Sequence, residues 1–299
     1  MGWRSLMISR PARLRREHFS LAIEQDETVT IPFEDIAVIV LNHRQIILTH
    51  PLLSACAEYG IALFSTDDKE LPNGLFLPFN SFCRSTKIIR LQIAASKPLL
   101  KRIHSNIVKQ KIRNQASTLR LIGKSNSYLL NLINRVRSGD ANHIESQAAG
   151  WYFAELFGRI FSRQEDNIIN AALNYGYAIF RGAISRGLVA HGLNPQLGFF
   201  HNNEQNAFNL ADDLIEVFRA IIDLYVYLRL FSRNGGFGKN EKLALVSLLN
   251  TDVLMPQGKM SALNAIDYMV ESVVRFYSSK NVRLDLPTHI GLESHFMES

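Results

Sequence analysis

The sequence predicts an α+β protein in two parts, a small N-terminal β domain followed by a larger all-α C-terminal domain. Three observations carry that prediction. Up to about residue 72, apolar residues come in short β-branched or alternating runs. From about Asn80 they recur three and four apart, the helical period. Between the two regimes, "DDKELPNGLFLPF" concentrates turn residues, as a boundary does. The expected division is a β domain over 1–73, a linker over 74–80, a helical catalytic domain over 81–286 and a loosely held tail over 287–299.

In chain order, "LMIS", "FSLAIEQ", "TVTIPF" and "DIAVIVL" read as strands, with "EQDET" turning between two of them. His50-Pro51 opens one helix, which "LLSACAEYG" carries to Gly60, and "IALFST" adds another strand. Beyond the boundary, "SFCRSTKIIRLQIAAS", "PLLKRIHSNIVKQKIRNQASTLRLIG" and "SYLLNLINRVRS" have helical spacing. Further helices are expected at about 142–162, 166–187, 207–231, 240–250 and 260–279.

Composition narrows the class. The chain has 299 residues, 47% of them hydrophobic, enough for two cores. No apolar stretch reaches the roughly 18 residues of a membrane span, and the basic N-terminus lacks the apolar run of a secretory signal. Cys56 and Cys83 make neither a disulfide framework nor a zinc motif. A cytoplasmic protein without membrane contact is expected. The net charge of +6 is unevenly spread. Between Glu70 and Asp140 there is no acidic residue, while Arg84, Lys87, Lys101, Arg102, Lys109, Lys111 and Arg113 fall there among other cations. Such a stretch is either a polyanion-binding surface or a solvated basic face.

The residues suited to chemistry lie later. In the helix from about Phe208, Asn209, Asp213 and Glu216 share a stripe beside the apolar face, and Asp212 points further round. Carboxylates three apart repel mildly unless a cation joins them. His201, in a Gly- and Asn-containing loop upstream, is within reach of folding over that stripe. Glu145 opens another helix in line with Ala149, Tyr152, Leu156 and Ile160, so it points towards a core and needs a partner. Asn142-x-x-Glu145 equally fits a capping box, and spacing leaves both readings open. Asn174, Tyr177 and Arg181 step along one side of the intervening helix, placed to order a site or to touch a phosphate.

Four segments in fixed order, "ESQAAGWYF", "NAALNYGYAI", "GLNPQLGFFH" and "NLADDLIEVFR", resemble the CRISPR-associated integrase family that inserts new spacers into CRISPR arrays. The wording resembles most the version from systems with a single RNA-guided effector nuclease, type II and its C branch. The resemblance spans essentially the whole chain and implies a β domain followed by a helical one. It implies Glu145, His201 and Glu216 as metal ligands, with Asp213 at a further acidic position of the catalytic site and Asp212 as an additional acid. It also implies Mg²⁺ or Mn²⁺, which carboxylates and one imidazole suit. The implied reaction joins the 3′-OH of a captured DNA fragment to a phosphodiester at the CRISPR repeat. Implied partners are DNA, a second copy of the chain, a small ferredoxin-like CRISPR-associated protein and other adaptation proteins. Val217-Phe218-Arg219 departs from the family's usual Pro-Phe-Arg, away from the ligands.

Two other readings stay open on the residues alone. One is a metal-dependent nuclease or branched-DNA resolvase, in which water attacks at the same site. The other is a non-catalytic DNA-binding scaffold whose acids only cap and pair.

Overall fold

The computed structural model describes residues 3–78, 84–279 and 283–292. Cys83 and most of the tail, 293–299, lie outside the described residues. The N-terminal strands are β1 (Arg4–Ile8), β2 (Ala12–Glu17), β3 (Ser20–Glu24), β4 (Thr28–Pro32), β5 (Ile36–Leu41), β6 (Ile46–Leu48), β7 (Ala62–Thr66) and β8 (Pro72–Phe76), with α1 (His50–Glu58) before β7. They form two four-stranded sheets, ordered β1-β5-β7-β8 and β4-β3-β2-β6. In the first, β1, β5 and β7 run parallel and β8 closes antiparallel.

The unbroken apolar run of β5 reflects burial on both faces, as parallel strands require. Ile36, Ile39 and Leu63 join Leu14, Leu21, Phe33 and Leu52 in a core of the β region. Val38, Val40, Ala62 and Phe64 face the other way, into the larger core of the helices. One approach there is very close: a Cβ at Gly182 would lie 2.1 Å from the Phe64 ring, so only glycine fits. Three strands lie outside the expected runs, the shortest being β6, of three residues. β2 is the basic segment "ARLRRE", which keeps the alternation in Ala12 and Leu14 alone. β8 falls in the turn-rich boundary stretch.

The helical region contains α2 (Ser85–Ile93), α3 (Lys97–Leu121), α4 (Ser127–Ile133), α5 (Ile144–Phe157), α6 (Ile168–Ala190), α7 (Asn209–Ile215), α8 (Arg219–Val226), α9 (Lys239–Ser247) and α10 (Ala262–Ser278). The helix expected over 207–231 is therefore broken around Glu216, and a π-type turn, Tyr227–Phe231, ends it. This region also holds a small sheet, β10-β9-β11, formed by β9 (Asp252–Met255), β10 (Gly258–Ser261) and β11 (Thr288–His289). Strands this short have no readable period. The described start of the expected tail is tied down, because Gln110 and Asn114 donate to the Pro287 carbonyl at 3.0 and 3.1 Å. Among the described residues no helix is long and apolar enough to cross a membrane.

Helix α3, 25 residues long, is the central strut. It buries polar side chains that catch backbone groups freed elsewhere. Asn114 donates to the Val217 carbonyl at 2.6 Å and Thr118 to the Ala220 carbonyl at 3.2 Å. Those carbonyls flank the α7–α8 break, where an unpaired buried group would be costly. The break that positions Glu216 is thus held open by α3.

Candidate active site

Three elements meet at the α7–α8 break. Helix α5 brings Glu145, α3 brings Lys111, and the break itself presents Glu216. The Lys111 ammonium lies 2.7 Å from Glu145 Oε1 and 2.6 Å from Glu216 Oε2, bridging both acids. Arg219, one turn on, takes Glu216 Oε1 at 2.9 Å. Buried Oε2 has the Lys111 ammonium as its direct partner and no neutral donor beside it. Burial opposes ionisation of Glu216, but Arg219 and Lys111 outweigh it and hold the carboxyl at about 2. Burial likewise disfavours the charged Lys111, yet Glu216 and Glu145 keep its ammonium protonated beyond the usual range.

The capping-box alternative for Glu145 is not realised. Asp140 caps α5 instead, accepting from the Ile144 and Glu145 amides at 3.0 and 2.9 Å, while Asn142 donates to the Arg135 carbonyl. Glu145 is thereby free to turn inward to Lys111.

Asp213 has a different task. Its carboxylate accepts from the Phe199, Phe200 and His201 amides at 2.5, 3.1 and 3.1 Å and from His201 Nδ1 at 2.7 Å. It clamps the loop and fixes the imidazole, leaving Nε2 as the ring nitrogen able to meet a ligand. Gly198 permits this closure, since a Cβ there would sit 2.3 Å from the His201 carbonyl oxygen and 2.9 Å from Asp213 Oδ2. The Asp213 hydrogen bond raises the proton affinity of His201 against the opposing effect of burial; Asp213, Glu216 and Asp212 add to it by charge. His104, buried on α3, stacks on Phe200 at 4.1 Å between ring centroids, and burial pushes its proton affinity down.

Asn209 also belongs to the loop, donating to the Asn203 carbonyl at 2.9 Å and accepting from the Asn203 amide at 3.1 Å. Asp212 points away, held by Asn206 at 2.7 Å and more loosely by Arg181 at 3.8 Å. Tyr177 donates to buried Asp223, and Asn174 accepts from Arg163 at 2.7 Å. Thus Asp212, Asn174, Tyr177 and Arg181 line a neighbouring cavity and do not face the Glu145–Lys111–Glu216 cluster.

The basic residues divide. Arg84, Lys87, Lys101, Arg102 and Arg113 are exposed and Lys109 is half-buried. Arg102, Lys109 and Arg113 line a groove of about 770 Å³ with Arg283. Lys111, one of the cations of the candidate polyanion-binding stretch, sits instead inside the cluster with its side chain 13% exposed. Its partners lie far along the chain, at Glu145 and Glu216. Lys111, Arg219, Arg163 and Asp223 are the site residues that sequence reasoning missed or misplaced. The lack of acids near Lys111 in sequence made it look free.

Among the described residues, no three His, Cys, Asp or Glu side chains lie close enough to hold an ion as they stand. The donor set nevertheless suits a hard cation. Two carboxylates already share one positive charge, and Glu216 Oε2 has a lone pair to give.

The family model described as CRISPR associated protein Cas1 matches residues 6–240. A relative from Neisseria meningitidis serogroup C (strain 8013), named CRISPR-associated endonuclease Cas1, is 41% identical along the full length of both chains. Among solved structures, a casposase bound to integration product has a TM-score of 0.77 at 19% identity, covering 95% of this chain and 93% of its own. A Cas1 protein from Thermotoga maritima has a TM-score of 0.74 at 18% identity, covering 93% of this chain and 98% of its own. The two structures share the fold, a β region followed by a helical one. The family match over most of the sequence and the full-length relative lead to one conclusion: this chain belongs to the CRISPR-associated Cas1 family.

Proposed function

We propose that the chain is a metal-dependent DNA integrase of CRISPR adaptation, acting at Glu145, Glu216 and His201. The observation that carries this reading is the convergence of Glu145 and Glu216, from separate helices, on one cationic point beside a clamped histidine. Glu145 and Glu216 would hold Mg²⁺ or Mn²⁺ in place of the Lys111 ammonium, with His201 Nε2 as a third donor. When bound, the ion supplies Lewis-acid stabilisation of charge on the reacting phosphate. The protein's own residues do the rest. Asp213 holds His201 in one orientation, and Arg219 keeps Glu216 ionised at any physiological pH. Lys111, once displaced from the acids, offers an ammonium to a phosphate oxygen.

In the joining step, the 3′-OH oxygen of the fragment forms a bond to phosphorus. The bond from that phosphorus to the repeat strand's 3′ oxygen breaks, and the proton passes from attacker to leaving group through solvent or His201. One phosphodiester is exchanged for another, so no energy source is required. With water in place of the 3′-OH, the same site cuts DNA, which is the endonuclease reading. The groove lined by Arg102, Lys109, Arg113 and Arg283 suits a sequence-tolerant backbone track. The exposed apolar residues Val29 and Ile47 on the β4-β3-β2-β6 sheet, with Phe19 in its β2–β3 turn, are candidates for the homodimer or a ferredoxin-like partner. Among solved structures of similar fold, one is titled a Cas6-RT-Cas1–Cas2 complex, in keeping with assembly on a CRISPR protein partner.

The test is a strand-transfer assay. Labelled duplex with free 3′-OH ends is mixed with a repeat-bearing supercoiled plasmid, Mg²⁺ or Mn²⁺, the protein and its small partner. Label should join the plasmid with wild type and not with Glu216→Ala or His201→Ala, while both variants still bind DNA. Cutting without joining would favour the nuclease, and a fully active Glu216→Ala would overturn the site.

A further inference from the structure

A second basic feature adjoins the cluster, and of its arginines the joining chemistry above uses Arg219 alone. Beside Glu216, a cavity of about 300 Å³ is bounded by Arg163, Arg181 and Arg219, with Asn174, Tyr177 and Asp212 completing its wall. Arg163 is the informative member. It comes from the segment between α5 and α6, and its guanidinium is held by neutral groups. It donates to the side-chain oxygens of Asn170 and Asn174, the latter at 2.7 Å, and lies over the Tyr177 ring at 5.4 Å. Among the described residues, no carboxylate forms an ion pair with it within 4 Å. A guanidinium fixed in a cleft by neutral hydrogen bonds, with no carboxylate in direct contact, is a preorganised anion receptor.

The neighbours strengthen the case. Arg219 lies over the same Tyr177 ring at 4.3 Å. That ring cannot swing, because its hydroxyl donates to buried Asp223, which Tyr152 also holds at 3.0 Å. Arg181 is loosely engaged, 3.8 Å from Asp212 and 5.0 Å over the Phe208 ring. Of the three guanidiniums, Arg219 is compensated by Glu216 and Arg181 in part by Asp212, while buried Asp223 acts on Arg163 and Arg219 from behind the Tyr177 ring, so what the cavity offers an anion is its directed donors rather than a net charge. A phosphodiester carries one negative charge, and the fork geometry of arginine matches its two non-bridging oxygens.

We propose that this cavity is a second oxyanion site that binds one backbone phosphodiester of the DNA, next to the phosphate that reacts. It rests on the reading of the chain as a DNA-joining enzyme. Arg163 and Arg181 are positioning residues: they fix the strand's register so that the scissile phosphate meets Glu145 and Glu216. Free phosphate shares the same chemistry, so the experiment must separate the two sources.

The experiment uses the full-length protein and branched DNA representing the joined product, carrying one neutral methylphosphonate at successive positions. Binding is read for wild type, Arg163→Gln and Arg181→Gln, each checked for an unchanged melting temperature. With wild type, neutralising one phosphate besides the scissile one should weaken binding by about tenfold. With Arg163→Gln, that position should become indifferent while the others keep their effect, and Arg181→Gln should give the same loss to a smaller degree. In a second arm, inorganic phosphate is added to each protein alone. Thermal stabilisation of wild type but not Arg163→Gln, with the same interference pattern in both, would keep the anion pocket and assign it to free phosphate. The same pattern in both, without a phosphate effect, would overturn the site. Because binding is the readout, a protein that binds with this interference yet never joins or cuts DNA would fail the enzymatic reading and keep the pocket.

Discussion

Glu216 and Asp223 stand two turns apart on one stretch of chain, both buried, and their proton affinities move in opposite directions. Burial alone would raise both. Glu216 meets Arg219 and Lys111 and is pushed down to about 2. Asp223 is pushed up to about 6, because burial outweighs the hydroxyls of Tyr177 and Tyr152 and the more distant Arg219. Asp213 is a third case, its charge met by three backbone amides and an imidazole. The kind of partner therefore decides what a buried acid can do. An acid paired with a side-chain cation can exchange that cation for another. One bound by backbone amides is fixed in place, and one whose direct partners are hydroxyls holds its proton more tightly.

The strongest way to break this comparison is Lys111→Met. It removes the ammonium shared by Glu145 and Glu216 and leaves two facing carboxylates with less compensation. A cost of about 3–5 kcal/mol is expected in the metal-free protein, because removing one partner strands buried charge. Added Mn²⁺ should recover a large share of that loss in the variant and stabilise wild type less, since it need not displace a lysine. Thermal melts of both proteins with and without Mn²⁺ measure this. Equal metal stabilisation of the two would show that Lys111 does not occupy the metal's place.

A smaller effect is expected from Asp213→Asn. The amide accepts through one oxygen only, so part of the set of bonds to the Phe199, Phe200 and His201 amides is lost. About 2 kcal/mol of destabilisation follows. Faster hydrogen exchange should be confined to these loop amides, and strand transfer should fall as His201 loses its orientation. Protection of the loop equal to that of wild type would contradict the clamp.

Much of this contrast is legible in the sequence, and its limits are physical. Glu145 and Glu216 stand out because polar residues at helical steps beside an apolar face demand a partner, whereas His201, in a loop, is singled out by the family resemblance. The partner itself is not legible, since Lys111 meets its acids through tertiary packing and is surrounded in sequence only by cations. The α7–α8 break leaves no glycine or proline signal. It is imposed from outside, by Asn114 and Thr118 catching its carbonyls. Strands β9 to β11 are too short to show alternation, and β2 hides under its arginines. Arg163 sits in "FSRQED", a loop with no period at all, and only the fold brings it to Tyr177.

The finest test of the comparison is Asp223→Asn, followed against pH. The folded protein binds the Asp223 proton more tightly than the unfolded chain does, with a pKa of about 6 against 3.8. Between those values the native state keeps a proton that the unfolded state releases, so this group's contribution falls as pH rises and is fully unfavourable above about 6. An asparagine carries no such term. Its loss of one acceptor for the two tyrosine hydroxyls is a constant offset, independent of pH. Relative to wild type, the variant should therefore gain stability from pH 4 to pH 7, by on the order of 2–3 kcal/mol at most. Denaturant melts of both proteins at intervals across that range give the trend, whatever the offset. A difference that stays flat with pH would mean that the two hydroxyls do compensate the buried charge, and that neutral donors serve here as well as Lys111 and Arg219 do for Glu216.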